Sequence, residues 1–345
     1  MKRIYIVTGA NGFLGNNIVR NLPVKENDEI RALVLPNDKI HSLDGVNCKI
    51  YKGDVTNKES LKDIFDVNDD SEVVVIHCAA VVYIKEKYDE NVFYVNVHGT
   101  ENIADKCIET SSRMVYVSSV HAIEEPEDNR KIVETKEFNP DRVQGIYAKS
   151  KAQAARLIMN KIQNENLNVC IVHPSGIIGL NDFGNTHMTN LIVKIANGNL
   201  PAILKGGYDF VDVRDVVTGV ISAIDKGKKG ETYILSNRYI TIQEIADLTS
   251  KYSGSKKVNI VLPMWIAKLG APFCEIYYNF KKQVPLYTRY SLYTLHAKSN
   301  FSNTKAREEL GYRNRSLEET IRDMVAWLKE QGRIKNINRE LCNRR

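Results

Sequence analysis

The chain has 345 residues, 43% hydrophobic and 26% charged, with a formal net charge of +6. This is ordinary globular composition, which excludes a wholly disordered chain, and the length implies one large domain with a smaller lobe, or two domains. The excess charge does not point to nucleic acid, because Lys329, Arg333, Lys335, Arg339, Arg344 and Arg345 near the end stand against only Glu330 and Glu340.

Met1-Lys2-Arg3 followed by Ile4 to Val7 imitates an export signal, but Thr8-Gly9 cuts the apolar run short of what such a signal needs. The run Arg3 to Val7 instead predicts a strand. Directly after it comes Thr8-Gly9-Ala10-Asn11-Gly12-Phe13-Leu14-Gly15, which opens a helix predicted over Gly12 to Asn21. Glycines spaced this way let the backbone turn tightly and approach a pyrophosphate, while the helix offers its N-terminal amides to the phosphates. Further strands are predicted at Glu29 to Val34, Lys49 to Tyr51, Glu72 to His77, Arg113 to Val117 and Val169 to His173. Helices are predicted between them, at Lys58 to Phe65, Tyr88 to Thr110 and Tyr147 to Asn164. Such alternation predicts a parallel sheet covered by helices on both faces. After Asn181 the alternation loosens, and helices at Ile242 to Tyr252, Pro263 to Phe280, Asn303 to Leu310 and Leu317 to Lys329 predict a smaller, mostly helical lobe.

A Tyr and a Lys four residues apart share one helix face, and the ammonium can favour phenolate, so that the phenol exchanges a proton. Tyr83/Lys87, Tyr252/Lys256, Tyr277/Lys281 and Tyr278/Lys282 have the same spacing. Only Tyr147/Lys151 opens a helix after a strand ending Tyr116-Val117-Ser118-Ser119 and before one ending His173-Pro174-Ser175-Gly176. In an open parallel sheet, ligands sit beyond the carboxyl ends of the strands, which gathers Ser119, Tyr147 and the His173 loop around one crevice.

The TGxxGxxG spacing and the Tyr147/Lys151 pair resemble the extended short-chain dehydrogenase/reductases. So do Gly53-Asp54-Val55, His77-Cys78-Ala79-Ala80 and Asn96-Val97-His98-Gly99-Thr100. The resemblance implies a doubly wound α/β Rossmann-type sheet: a dinucleotide-binding domain over residues 1–180, a substrate lobe over 181–330 with some strand exchange, and a basic tail over 331–345. It implies that Ser119 hydrogen-bonds the substrate oxygen, that Tyr147 transfers the proton and that Lys151 also binds the nicotinamide ribose; Ser118 is the fallback serine. Dinucleotide contacts are implied at Gly9, Asn11, Gly12, Phe13, Leu14, Gly15, Asp54, Val55, Ala79, Ala80, Tyr147, Lys151, Pro174 and Ile177. Asp54 has a second reading as a helix cap. His121 and His173 read as shape-setting neighbours rather than general bases, with His173 and Pro174 placing the loop Ser175 to Gly179 against the nicotinamide amide.

Strand two ends Val34-Leu35-Pro36-Asn37, with neither the acid of an NAD enzyme nor the Arg of an NADP enzyme, and nearby Arg31 and Lys39 tip the balance to NADP(H) over NAD(H). Within the family, the segments His173 to Gly179, Phe210 to Val216 and Phe301 to Tyr312 resemble the dihydroflavonol reductase and 3β-hydroxysteroid dehydrogenase-like branch. That branch implies hydride transfer between a nicotinamide and a ketone, aldehyde or secondary alcohol. The main rival is a nucleotide-sugar epimerase or dehydratase, and the other is a non-catalytic dinucleotide sensor. The rival sugar enzymes commonly carry R-x-F and R-x-G-D, where this chain has Tyr208-Asp209-Phe210 and Arg289-Tyr290-Ser291-Leu292. The stretch Leu262 to Phe273 with Tyr277 and Tyr278 reads as ordinary core or as an apolar lid for a hydrophobic small-molecule substrate.

Six dispersed cysteines, with no C-x-x-C pair and no Cys/His cluster at metal-ligand spacing, read as reduced thiols in the cytoplasm and imply no metal. No apolar run reaches a membrane-spanning length. The basic tail reads as a solvated end, with phosphate or lipid binding as the alternative. Homodimers built through sheet-flanking helices are common in the family.

Overall fold

The computed structural model describes residues 2–67, 70–83, 88–128, 130–263, 265 and 289–335. In the first half, strands and helices alternate: β1 (Arg3–Thr8), α1 (Phe13–Asn21), β2 (Glu29–Val34), β3 (Lys49–Lys52), α2 (Lys62–Phe65), β4 (Glu72–His77), α3 (Glu90–Phe93), α4 (Thr100–Glu109), β5 (Arg113–Val117), α5 (Ile146–Glu165) and β6 (Val169–Pro174). The helix expected over residues 88–110 is wound wider at its middle, where the π-helical turn Tyr94–Gly99 joins α3 to α4. The second half holds β7 (Gly176–Ile178), α6 (His187–Ala196), β8 (Ala202–Leu204), β9 (Gly207–Asp212), α7 (Val213–Lys226), β10 (Thr232–Leu235), β11 (Arg238–Thr241), α8 (Ile242–Ser253), β12 (Ile260–Leu262), α9 (Arg289–Thr294) and α10 (Leu317–Glu330).

The central sheet has seven strands in the order β3-β2-β1-β4-β5-β6-β10, all parallel. Its inner strands are buried on both faces, which is why they read as largely apolar runs, whereas the edge strand β3 is mostly exposed. Alternate residues feed two cores. Ile4, Ile6, Val73, Val75, Met114 and Tyr116 point to the face covered by α4 and α5. Tyr5, Val7, Val74, Ile76, Val115 and Val117 point to the face covered by α1 and α7.

Strand order reverses between β1 and β4, so the connections leaving their carboxyl ends part to opposite faces and open a crevice there. The seventh strand, β10, comes from beyond residue 180 and pairs with β6, with Thr232 beside Ile171.

The second half also carries short strands outside the expected elements: β11-β9-β7 form one small sheet and β12-β8 another. A third core gathers α6, α8 and α10 around Tyr208, Phe210 and Ile240. Ion pairs stitch this region to α7: Arg214 binds Asp212 at 2.7 Å and Asp323 at 2.8 Å, and Arg315 binds Asp215 at 2.7 Å. The Phe210 to Val216 segment is therefore a structural joint. The first residues of the expected basic tail are docked rather than frayed, since Ile334 is buried and the Arg333 guanidinium lies 5.9 Å from the Trp327 ring. Of the helix expected over Pro263 to Phe280 and the apolar lid expected over Leu262 to Phe273 with Tyr277 and Tyr278, residues 264 and 266–280 lie outside the described residues, as does the tail beyond residue 335. Among the described residues no helix is long and apolar enough to cross a membrane, and no group of three His, Cys, Asp or Glu side chains is placed to hold a metal.

Candidate active site

The glycine turn links β1 to α1 as the spacing predicts. Gly9 has φ +63°, a conformation that L side chains avoid, and a Cβ there would lie 2.8 Å from the Ala79 backbone. A Cβ on Gly15 would lie 2.1 Å from the Gly9 carbonyl oxygen. Gly12 caps α1 with no side-chain acceptor, so the first amides of the helix keep their donors for an anion. These features fit a pyrophosphate lying across Gly12, Phe13 and Leu14. Asn11 is different. Its amide donates to the Lys39 carbonyl at 2.8 Å and its oxygen accepts from Ser42, so its side chain pins the loop after β2.

Asp54 follows β3. Its Oδ1 accepts from the amide and hydroxyl of Thr56 at 2.9 and 2.7 Å, and the cap of the next helical turn is Asn57 instead. Val55 is buried, and its carbonyl accepts from Asn102 at 2.9 Å. Arg31, one of the two bases taken to favour NADP(H), is committed elsewhere: it binds Glu29 at 2.8 Å and donates to the carbonyls of Ile64 and Asp66, both at 2.8 Å. In mid-strand its side chain leaves the sheet face away from the strand's carboxyl end, so only Lys39 remains at the loop.

Ala79 and Ala80 leave the end of β4 opposite the glycine turn, and a polar chain fixes them. Thr8 Oγ1 accepts from the amides of Cys78 and Ala79, both at 3.2 Å, and meets His77 Nδ1 at 2.7 Å. His77 Nε2 meets Thr100 Oγ1 at 3.0 Å, and Thr100 in turn donates to the Asn96 carbonyl at 2.7 Å. Because Thr100 spends its proton on Asn96, His77 must donate from Nε2 and accept at Nδ1. Burial pushes His77 down to about 3, with Lys151 acting the same way, so the ring is neutral. Asn96 donates to Ser150 at 2.9 Å and to the Val81 carbonyl at 3.0 Å, while its oxygen takes the Val81 amide at 2.7 Å. Thr8, Thr100, Asn96 and Ser150 were not among the predicted site residues. Three of them stand inside quoted motifs, but their partners lie up to 71 residues away in the chain.

Ser119, Tyr147 and Lys151 come together where β5 ends and α5 begins. Ser119 caps the short helical turn Val120–Ala122, accepting from the His121 amide at 3.2 Å, and its hydroxyl faces the Tyr147 phenol. Ser118, the fallback, has a buried hydroxyl with no hydrogen-bond partner among the described residues. Lys151 is 2% exposed and donates to the Val117 carbonyl at 3.0 Å, with its ammonium 5.1 Å from the centre of the Tyr116 ring.

The electrostatics depart from the expectation of a phenol acidified by the lysine. Burial pushes Tyr147 up to about 12, opposed by Ser119 alone, and burial pushes Lys151 down to about 8. Although the two share a helix face, the lysine amine donates to the Val117 carbonyl at the end of β5. The phenol is accordingly a neutral acid at physiological pH. His121 and His173 are both neutral, each pushed by burial down to about 4. His121 stacks on Tyr208 at 5.6 Å and sets its edge 6.2 Å from Tyr147, while His173 holds the Ser119 carbonyl at 3.0 Å. A cavity of about 550 Å³ adjoins this corner, lined both by His121, Tyr208, Tyr293 and Phe301 and by the charged side chains of Glu125, Asp141, Arg142 and Lys149.

The lowered amine of Lys151 makes a testable statement about stability. Between pH 8 and 10.5 the unfolded chain holds a proton that the folded chain has lost, so this group makes stability rise with pH across that window. Below pH 8 the fold bears the whole cost of the desolvated ammonium. Lys151→Met is therefore expected to raise stability at pH 7 by about 1–3 kcal/mol while removing turnover. Urea unfolding of both proteins at pH 7 and pH 10 checks this, since the gain should shrink at the higher pH.

A doubly wound parallel sheet with a glycine turn at its switch point is the scaffold of a dinucleotide enzyme, and the relatives of this chain make it an NAD(P)-dependent oxidoreductase. Residues 5–236 match the model of the NAD dependent epimerase/dehydratase family. The chain is 29% identical over 336 residues to sterol demethylase protein B of Methylococcus capsulatus, covering 95% of this chain and 99% of that one. It is 25% identical to 3-beta-hydroxysteroid dehydrogenase of Mycolicibacterium neoaurum, covering 89% and 86%. Among solved structures, gox2253 superposes with a TM-score of 0.81 at 29% identity, covering 96% of this chain and 99% of that one. This protein belongs to the NAD dependent epimerase/dehydratase family.

Proposed function

We propose that the protein catalyses reversible hydride transfer between a nicotinamide coenzyme and the carbonyl, or secondary alcohol, of an apolar small molecule. The observation that carries this reading is the neutral, half-buried Tyr147 phenol beside Ser119, next to a cavity to which His121, Tyr208 and Phe301 give an aromatic wall. Gly9, Gly12, Phe13, Leu14 and Gly15 hold the pyrophosphate, Asp54 and Val55 flank the adenine, and Ala79, Ala80, Pro174 and Ile177 line the channel to the nicotinamide. Asn11 acts indirectly, through the loop it pins. The bound coenzyme supplies or takes up the hydride. Ser119 Oγ donates to the substrate oxygen and orients it; as the carbonyl carbon gains the hydride, that oxygen takes the proton from Tyr147 Oη. Lys151 binds the ribose next to the ring.

An apolar substrate is supported by Tyr208, whose stack on His121 occupies the position where nucleotide-sugar enzymes place a diphosphate-binding Arg. Names of relatives that act on sterols and hydroxysteroids agree with it. NADP(H) preference rests on Lys39 alone, with Asp38 beside it favouring ribose hydroxyls. The test is coenzyme absorbance with NADPH and NADH, offered separately with apolar ketones and with nucleotide sugars. Net oxidation with a ketone is expected, and Lys39→Ala should raise KM for NADPH by about tenfold while sparing NADH. Conversion of a nucleotide sugar without net coenzyme consumption would replace this reading with the epimerase one.

A further inference from the structure

Asp209 sits in β9 between Tyr208 and Phe210 and is 2% exposed. Among the described residues it has no ion-pair partner, and burial pushes its carboxyl up to about 6. A buried carboxylate without a cation is costly, so the bonds it makes are informative. Both fall on Oδ1: Ser175 Oγ donates at 2.5 Å and the Asn237 amide at 3.1 Å. Ser175 lies between Pro174 and Ile177, the two residues assigned to the nicotinamide. The adjoining Gly176 packs so tightly on the same segment that a Cβ would lie 2.6 Å from the Phe210 ring.

The other partner is equally well anchored. Asn303 and Asn314 donate to the Ser236 carbonyl at 2.9 and 3.0 Å, and Asn237 donates to the Arg315 carbonyl at 3.0 Å. A hydrogen-bonded path thus runs from the Phe301 to Tyr312 motif, through the Ser236–Asn237 turn and Asp209, to the loop after β6. Tyr208, the neighbour of Asp209, walls the substrate cavity.

We propose that Asp209 is a positioning residue for the nicotinamide ring: it fixes Ser175, the link between β6 and β7, and so holds the Pro174–Ile177 segment, whose Gly176 and Ile177 pair with Phe210 and Val211, against the strand that walls the substrate cavity. This rests on the reading that the loop meets the nicotinamide. The test uses the full chain and two sets of ligands in fluorescence or calorimetric titration. One set is NADPH and NADH; the other is 2′-phospho-ADP-ribose and ADP-ribose, which lack the nicotinamide. Ser175→Ala and Asp209→Ala should each weaken the reduced coenzymes by about tenfold and leave the ribose fragments within twofold. The double variant should be no weaker than either single one, and Asp209→Asn, which keeps an acceptor oxygen, should recover most of the affinity. Equal losses for both sets of ligands, or no loss for either, would overturn the proposal; if Asp209→Ala fails to fold, Ser175→Ala decides alone. Turnover by Tyr147→Phe reports separately on the proton-transfer reading, so the two failures are distinguishable.

Discussion

Replacing Tyr147 by Phe should lower kcat by roughly 10²- to 10⁴-fold, the usual contribution of a positioned acid or base, while coenzyme affinity changes less than threefold. The substitution removes one oxygen from a ring already enclosed by His121 and α5, so neither the fold nor the dinucleotide cradle is disturbed. No neighbour can take over the proton. His121 is held neutral by burial, and Ser119 hydrogen-bonds but is far too weak an acid to leave as an anion. Because burial pushes the phenol up to about 12, carbonyl reduction should be flat across neutral pH, and alcohol oxidation should quicken as pH rises toward the phenol's range. Steady-state rates in both directions, with coenzyme dissociation constants measured separately, check this. A Phe variant that keeps more than a tenth of wild-type kcat would remove Tyr147 from the proposed chemistry.

The dinucleotide half was legible because its signals are local. Most of β1 to β6 are largely apolar runs, the glycine turn is contiguous, and Tyr147 and Lys151 are one helical turn apart. The second half was harder because β7, β8 and β12 are only three residues long, too short to show a period of two. Its strands exist through pairing with partners such as β9, not through their own sequence. Side-chain direction was the other blind spot. Arg31 of β2 looked available for a phosphate, yet two carbonyls more than 30 residues away claim its guanidinium. Lys151 was expected to acidify Tyr147, yet it reaches the Val117 carbonyl; spacing along a helix reports a shared face and not where a long side chain ends. Tyr208, in contrast, was noticed for the Arg it lacks. Its stack on His121, 87 residues away, shows what stands in that place.

Gly15→Ala should cost about 1–3 kcal/mol of stability and abolish measurable dinucleotide binding. A methyl group there would sit 2.1 Å from the Gly9 carbonyl oxygen and 2.8 Å from its carbon, so α1 must move away from the turn that feeds it. The opposing atoms are backbone, which cannot swing aside as a side chain would. The same carbonyl accepts the Gly12 amide at 2.9 Å, so displacing it loosens the bond that closes the turn. Gly45→Ala is the matched control: it has φ +72° and nothing within 4 Å of its added methyl, so it tests backbone strain without contact. Thermal unfolding with and without saturating NADPH separates the two effects. Gly45→Ala should lower Tm slightly and keep the full upward shift on adding coenzyme, because a ligand that binds only the fold raises its stability by mass action. Gly15→Ala should lower Tm further and lose the shift. A normal shift in the Gly15 variant would mean that the pyrophosphate does not rest on this turn, and the dinucleotide assignment of residues 9–15 would fall with it.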